Sequence, residues 1–331
     1  MGKGKKHTLK AALSSQQSRL KKKQEIEQAA KLSEQKGKKQ KLAPGRAKDT
    51  HAHAGPFQPQ TPPTIPFTSS DKILLVGEGN FSFTRALVVD APAPLQYLPA
   101  ENVVATAYDE EKECYAKYPE AEGIVGALRE RGVTVLFQVD ATRLEKCHAL
   151  KGRTFDKIVW NFPHAGKGIT DQDRNILSNQ LLLLGFLRSA SAFLARGPIP
   201  KVQSSGKGKA KQDDSEDEDD AETGGRSGSP SQVTTSSRGR ILITLRNVAP
   251  YTLWDLPRLA KKPPPPQSAQ EPPNPTYIQL RSFKFHREVW KGYEHRMTKG
   301  ERAHGTGKTG QGGEDRTWEF CIAPRARHDA N

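Results

Sequence analysis

Four short stretches hold residues whose types and spacing can do chemistry. They are Gly77-Glu78-Gly79-Asn80-Phe81-Ser82, the acids Asp109 and Asp140, Asn161-Phe162-Pro163-His164, and Gly292-Tyr293-Glu294-His295-Arg296. The first follows the aliphatic run KILLV (72–76). Glycine there admits positive φ and lets a ligand approach the backbone with no Cβ in the way. The helix that follows offers unpaired N–H groups. A dinucleotide fingerprint needs a third glycine, which packs helix and strand closely around a pyrophosphate. Here that position is Ser82. The pattern therefore suits a nucleoside donor without a pyrophosphate, S-adenosylmethionine, better than NAD. An ordinary tight turn between strand and helix would look the same.

The two acids stand where such a nucleoside would need them. Asp109 closes VVATAYD and Asp140 closes VLFQVD. An acid after the second strand can accept both ribose hydroxyls. One after the third can meet an adenine amine. Either can equally cap the turn that follows it. In the third stretch, Asn161 can hydrogen-bond a base edge or the methyl donor, and Phe162 can stack on a flipped base. Pro163 stiffens the backbone. His164 titrates near neutrality and can take a proton from a base nitrogen. The bland alternative is that Asn161 and Pro163 end a strand and His164 is a surface residue. Tyr293, His295 and Arg296 lie between Lys291 and Lys299, an aromatic among cations suited to stacking and phosphate contact on RNA.

Positioning these groups requires a sheet. Apolar runs at 72–77, 102–109, 133–141, 155–163, 239–247, 276–285 and 316–323 predict seven strands. Helical spacing appears at 81–91, at 110–132 with a break at Pro119 and a stop at Gly132, at 171–195 and at 251–260. Thr170 and Asp173 have the spacing of a capping pair for the third of these. Strands alternating with helices predict an α/β fold with a mostly parallel sheet and helices on both faces.

The rest of the chain is of different composition. Mean hydropathy is −0.74 over 331 residues, low enough to predict unstructured segments. These are a basic tail and Pro-rich linker at 1–67, a low-complexity insertion at about 198–238 holding DDSEDEDDAE, and a Pro-rich loop at about 261–275. Ser215 in the acidic run is a candidate phosphorylation site. The domain proper is expected at 68–325. Net charge is +15, and residues 1–50 alone carry fifteen lysines and arginines against four acids. That tail, with Lys21, Lys22 and Lys23, points to RNA. Three scattered cysteines give no zinc spacing and fit a reducing compartment. No secretory leader is expected, because no apolar run follows the basic start. The longest apolar stretch, LLLLGFL (181–187), is too short to span a bilayer. The oligomeric state is not readable.

LLVGEGNFSF, WNFPHAGKG and GYEHR, in this order, resemble the fungal 25S rRNA (uridine-N3)-methyltransferase family. The resemblance covers about 70–200 and 239–323. It implies a Rossmann-like class I methyltransferase fold and S-adenosylmethionine as cofactor. It also implies large-subunit rRNA or a pre-ribosomal particle as partner, and a nuclear, nucleolar location. Residues Gly77 to Ser82 would form the donor loop and Asn161 to His164 the motif beside the target base. Three other readings compete: an exocyclic-amine RNA methyltransferase, a non-catalytic ribosome-assembly factor, and an NAD-dependent oxidoreductase.

Overall fold

The apolar runs form the seven strands of one sheet in a computed structural model that describes residues 62–166, 168–200, 237–265, 272–296 and 313–324. They are β1 (Ile73–Val76), β2 (Val103–Thr106), β3 (Thr134–Leu136), β4 (Lys157–Asn161), β5 (Arg240–Arg246), β6 (Tyr277–Lys284) and β7 (Asp315–Ile322). The order is β3-β2-β1-β4-β5-β7-β6. Strands β1 to β5 pair in parallel, and β7 runs antiparallel to both β5 and β6. The sheet is thus mixed, as a mostly parallel sheet allows. All four residues of β1 and of β2 are buried, because a strand covered on both faces has no polar side to offer.

Helices α1 (Ser82–Val88), α2 (Glu111–Lys117), α3 (Ala121–Glu130), α4 (Gln172–Ala190) and α5 (Leu256–Lys261) cover the sheet. One core cluster joins Leu75, Val103 and Val159 to Leu87, Val125 and Leu128 of α1 and α3. The other joins Leu74, Ile158 and Ile243 to Leu183, Phe186 and Leu187 of α4 and Leu259 of α5. By length and composition alone α4 could cross a membrane. Its buried leucines and Phe186 lie on the sheet instead, which makes it a core helix. Asp171, rather than Thr170, caps it: the Asp171 carboxylate accepts the Arg174 N–H at 2.8 Å.

Three local readings are corrected. Strand β3 stops at Leu136 instead of reaching 141, because Gln138 takes a left-handed conformation (φ 57°). The chain there turns back, with Gln138 N–H donating to Asp109 O and Val139 N–H to Ala107 O. The helix expected over 251–260 is a 3-10 turn, Tyr251–Trp254, followed by α5. Asp255 at φ 51° separates the two. Core packing also begins before residue 68, since Phe67 is buried edge-on against Trp290 at 5.7 Å. At the insertion after α4, Arg238 N–H donates to Pro198 O at 2.9 Å, so these two flanking residues lie side by side. The expected basic tail with Lys21, Lys22 and Lys23, Ser215, most of the first insertion and residues 266–271 of the second lie outside the described residues.

Strand order reverses between β1 and β4, with Val76 level with Trp160. In an open α/β sheet the crevice beyond the strand ends at that reversal is where ligands bind. The glycine turn leaves β1 there, and Asn161-Phe162-Pro163-His164 leaves β4.

Candidate active site

The glycine turn is built from inward-facing side chains. Gly77 has φ +67°, and a Cβ on it would lie 2.5 Å from the Trp160 indole nitrogen. Glycine is required there by backbone and neighbour together. Gly79 has no such strain: a Cβ would meet Arg296 Cβ at 3.4 Å and the Tyr118 ring at 3.7 Å. The space beside it is therefore bordered by the protein's own side chains. The Glu78 carboxylate accepts from Thr84 N–H at 3.3 Å and Thr84 hydroxyl at 3.2 Å, and burial pushes its pKa up to about 7. Asn80 accepts from Ser82 N–H and donates to Glu120 at 2.8 Å. Phe81, left-handed at φ 61°, buries its ring against Phe137. With these side chains held inward, the exposed part of the turn is the backbone of Gly77.

The strand-end acids stand in the expected order. Glu78 N–H donates to Thr106 O and Ala107 N–H to Leu136 O, which draws the ends of β1, β2 and β3 together. Asp109 is ion-paired with Lys117 at 2.7 Å. One Asp140 oxygen accepts from the N–H and the hydroxyl of Thr142, so Asp140 also caps its turn.

The fourth-strand motif divides. Asn161 Oδ1 accepts from the Thr244 hydroxyl at 2.8 Å, and Thr244 shares a hydrogen bond with Thr317 at 2.9 Å. Phe162 is left-handed (φ 53°). Its ring lies 4.5 Å from His295 and 5.9 Å from Phe285, with the Arg287 guanidinium 5.0 Å above it. Pro163 is buried, and His164 is exposed. The His164 ring instead sits 5.9 Å from Trp254, which belongs to the core on the other face of the sheet. Phe162 and His164 thus face apart, and the Phe162 ring already has neighbours where an open stacking platform was expected. The Gly166 N–H donates to His164 Nδ1 at 2.9 Å. In the neutral ring this leaves the proton on Nε2, so His164 presents a donor. Partial burial holds its pKa below the ordinary value.

The GYEHR segment is a strap across the glycine turn. The Ser82 hydroxyl donates to Glu294 O at 3.0 Å, and Glu294 N–H approaches that hydroxyl at 3.1 Å. Arg296 pairs with Glu120 and with Glu294, each at 2.8 Å. The Tyr293 ring packs on Phe83 at 5.4 Å and Phe285 at 6.0 Å, and burial drives its phenol pKa upward. Burial, aided by Arg287 and Arg246, lowers His295 to about 4, so it is neutral at pH 7. The expected RNA contacts Tyr293, His295 and Arg296 are therefore engaged with the turn and the aromatic cluster. Trp160, Thr244, Glu120 and Tyr251 were not singled out from the sequence. Their roles come from neighbours more than 70 residues away for Trp160 and Thr244, and no local pattern marks them. Among the described residues no cluster of acids, histidines or cysteines could hold a metal.

A doubly wound sheet with a glycine turn, ordered acids and a polar motif at its switch point defines an α/β protein that binds a nucleoside-like ligand. The chain belongs to the BMT5-like family, whose model, described as rRNA (uridine-N3-)-methyltransferase BTM5-like, matches residues 74–297. It is similar to the 25S rRNA (uridine(2634)-N(3))-methyltransferase of Saccharomyces cerevisiae, with 30% identity over 259 residues, 72% of this chain and 69% of that protein. A shorter match is to the ferredoxin-fold anticodon-binding domain-containing protein 1 homolog of Mus musculus, 36% identical over 125 residues, covering 38% of this chain and 18% of that one. A glycopeptide N-methyltransferase solved with sinefungin overlaps 76% of the chain and 80% of its own at a TM-score of 0.28 and 11% identity, too slight a likeness to inform the site.

Proposed function

We propose that this chain methylates N3 of a uridine in large-subunit rRNA, with S-adenosylmethionine as the methyl donor. One observation carries the reading. GEGNFSF, NFPH and GYEHR, spread over some 220 residues of sequence, converge at the switch point of one sheet, and Ser82 joins the first to the last over a separation of 212 residues. The site fits the donor: Gly77 offers exposed backbone at the end of β1, and Asp109 and Asp140 follow at the ends of the next two strands. The turn Gly77 to Ser82 would hold the donor, Asp109 the ribose and Asp140 the adenine amine. When bound, the donor supplies an electrophilic methyl group on a sulfonium.

Asn161, Phe162, Pro163 and His164 leave β4 beside that donor, and His164 would stand on the base side of the site. Uridine N3 is an imide nitrogen, so the base must leave its pair and give up a proton as the methyl group arrives. Holding the two partners in line supplies much of the rate. The tail with Lys21, Lys22 and Lys23 would add sequence-independent phosphate contacts. A pre-ribosomal particle in the nucleolus is the natural setting for such a substrate, with the sheet and the segment from Phe67 onward as the methyltransferase domain.

The test is to incubate the purified protein with labelled S-adenosylmethionine and unmodified large-subunit rRNA, then digest to nucleosides. Label in N3-methyluridine is expected. Label in an exocyclic amine would move the target to the competing methyltransferase reading.

A further inference from the structure

Beside the glycine turn, one strand further along the sheet, lies a cleft of about 390 Å³. It is lined by His164, Ile169, Thr170, Gln172, Asn175 and Tyr251, among others. Its walls are the loop after β4, the start of α4 and the turn after β5, so it opens at the same carboxyl edge as the donor site. That volume lies within the range of small-molecule sites.

The walls are held firmly. Asn179, 1% exposed, accepts the Ala165 N–H at 2.8 Å and donates to Asn175 O and Oδ1. Asn175 in turn reaches Ile169 O at 3.3 Å. Two asparagines one helical turn apart thus pin both ends of the His164–Ile169 loop to α4. Tyr251 is braced against the buried Trp254 at 5.0 Å, and His164 leans on the same indole at 5.9 Å.

We infer that this cleft receives the target uracil, with Tyr251 along its ring and His164 Nε2–H donating to a base carbonyl. The inference rests on the function proposed above. His164 here is a donor and not the proton acceptor. The tautomer decides this, because Nδ1 is occupied by the Gly166 N–H. As N3 loses its proton, negative charge spreads onto the two carbonyl oxygens, and a fixed donor stabilises it. The N3–methyl bond forms while the sulfur–methyl bond breaks, and the N3 proton passes to water in the open cleft. A donor at this position also discriminates. If that carbonyl is C4=O, uracil offers an acceptor oxygen where cytosine carries an amine that is itself a donor.

The experiment measures N3-methyluridine formation and S-adenosylmethionine affinity for the wild type, H164A, H164Q and Y251A. Losing one such donor costs about a hundredfold, expected for H164A. H164Q restores an N–H donor but cannot act as a base near pH 7, and is expected within about tenfold of wild type. Y251A is expected to raise KM for RNA and leave donor affinity unchanged. H164Q as inactive as H164A overturns the donor role. Wild-type behaviour from both H164A and Y251A overturns the cleft. A wild-type enzyme that makes no N3-methyluridine overturns the proposed function and the uracil assignment with it.

Discussion

Gly77 and Gly79 look equivalent in the sequence, yet their surroundings differ. Gly77 combines a left-handed φ with a neighbour 2.5 Å from its missing Cβ, whereas at Gly79 a methyl group would make ordinary contacts. Gly77→Ala is therefore expected to abolish donor binding in calorimetry and Gly79→Ala to leave it nearly unchanged; equal losses would show that both face the ligand. Glu78 makes a second prediction. Burial raises its carboxyl from the ordinary 4.5 to about 7, so the folded chain keeps this proton to higher pH than the unfolded chain. The stability linked to it is complete below pH 4.5 and is lost as pH climbs to about 7. Glu78→Gln should match the wild type in urea unfolding at pH 5 and exceed it at pH 8. No difference at pH 8 would mean that the carboxylate is well solvated.

Elements carry a different kind of information. The seven apolar runs were legible because a buried strand has to be apolar, and Pro119 and Gly132 mark where helices cannot continue. The charges inside β4, β5, β6 and β7 were not legible as a group. Glu319, fully buried on β7, takes Arg240 at 2.8 Å, Arg281 at 2.6 Å and Lys157 at 3.6 Å, and the four residues come from four different strands. Burial alone would raise Glu319, but the three cations outweigh it and hold the carboxyl below the usual range. A depressed carboxyl lends stability above its unfolded pKa and withdraws it as pH falls through the folded value. Glu319→Ala would strand Lys157, itself 4% exposed, and should cost about 3–5 kcal/mol in denaturant unfolding near pH 7. The gap between mutant and wild type should narrow in acid. A gap that stays constant with pH would assign the loss to packing alone.

At the scale of the whole molecule, the chemistry was legible as motifs and the site was not. Nothing local in NFPH indicates that Phe162 and His164 turn to opposite faces, and nothing in GYEHR indicates that it docks on Ser82. Both follow from packing between elements brought together by the strand order. Charge is distributed by a separate rule. Most of the net +15 lies in residues 1–50, whereas the described cations Arg296, Lys117, Arg240 and Arg281 are paired with acids. The tail should therefore govern how tightly RNA is held, and the sheet edge what is done to it. Each phosphate neutralised on single-stranded RNA contributes about 0.7 to the slope of log affinity against log salt. Removing residues 1–60 is expected to flatten that slope and to weaken RNA binding at physiological salt by more than about tenfold. Donor affinity and turnover at saturating RNA should be unchanged, because the glycine turn, the strap and the cleft all lie beyond residue 60. A truncated chain that kept the full salt slope would place the RNA contacts on the sheet domain itself. One that lost donor affinity would tie the tail to the cofactor site.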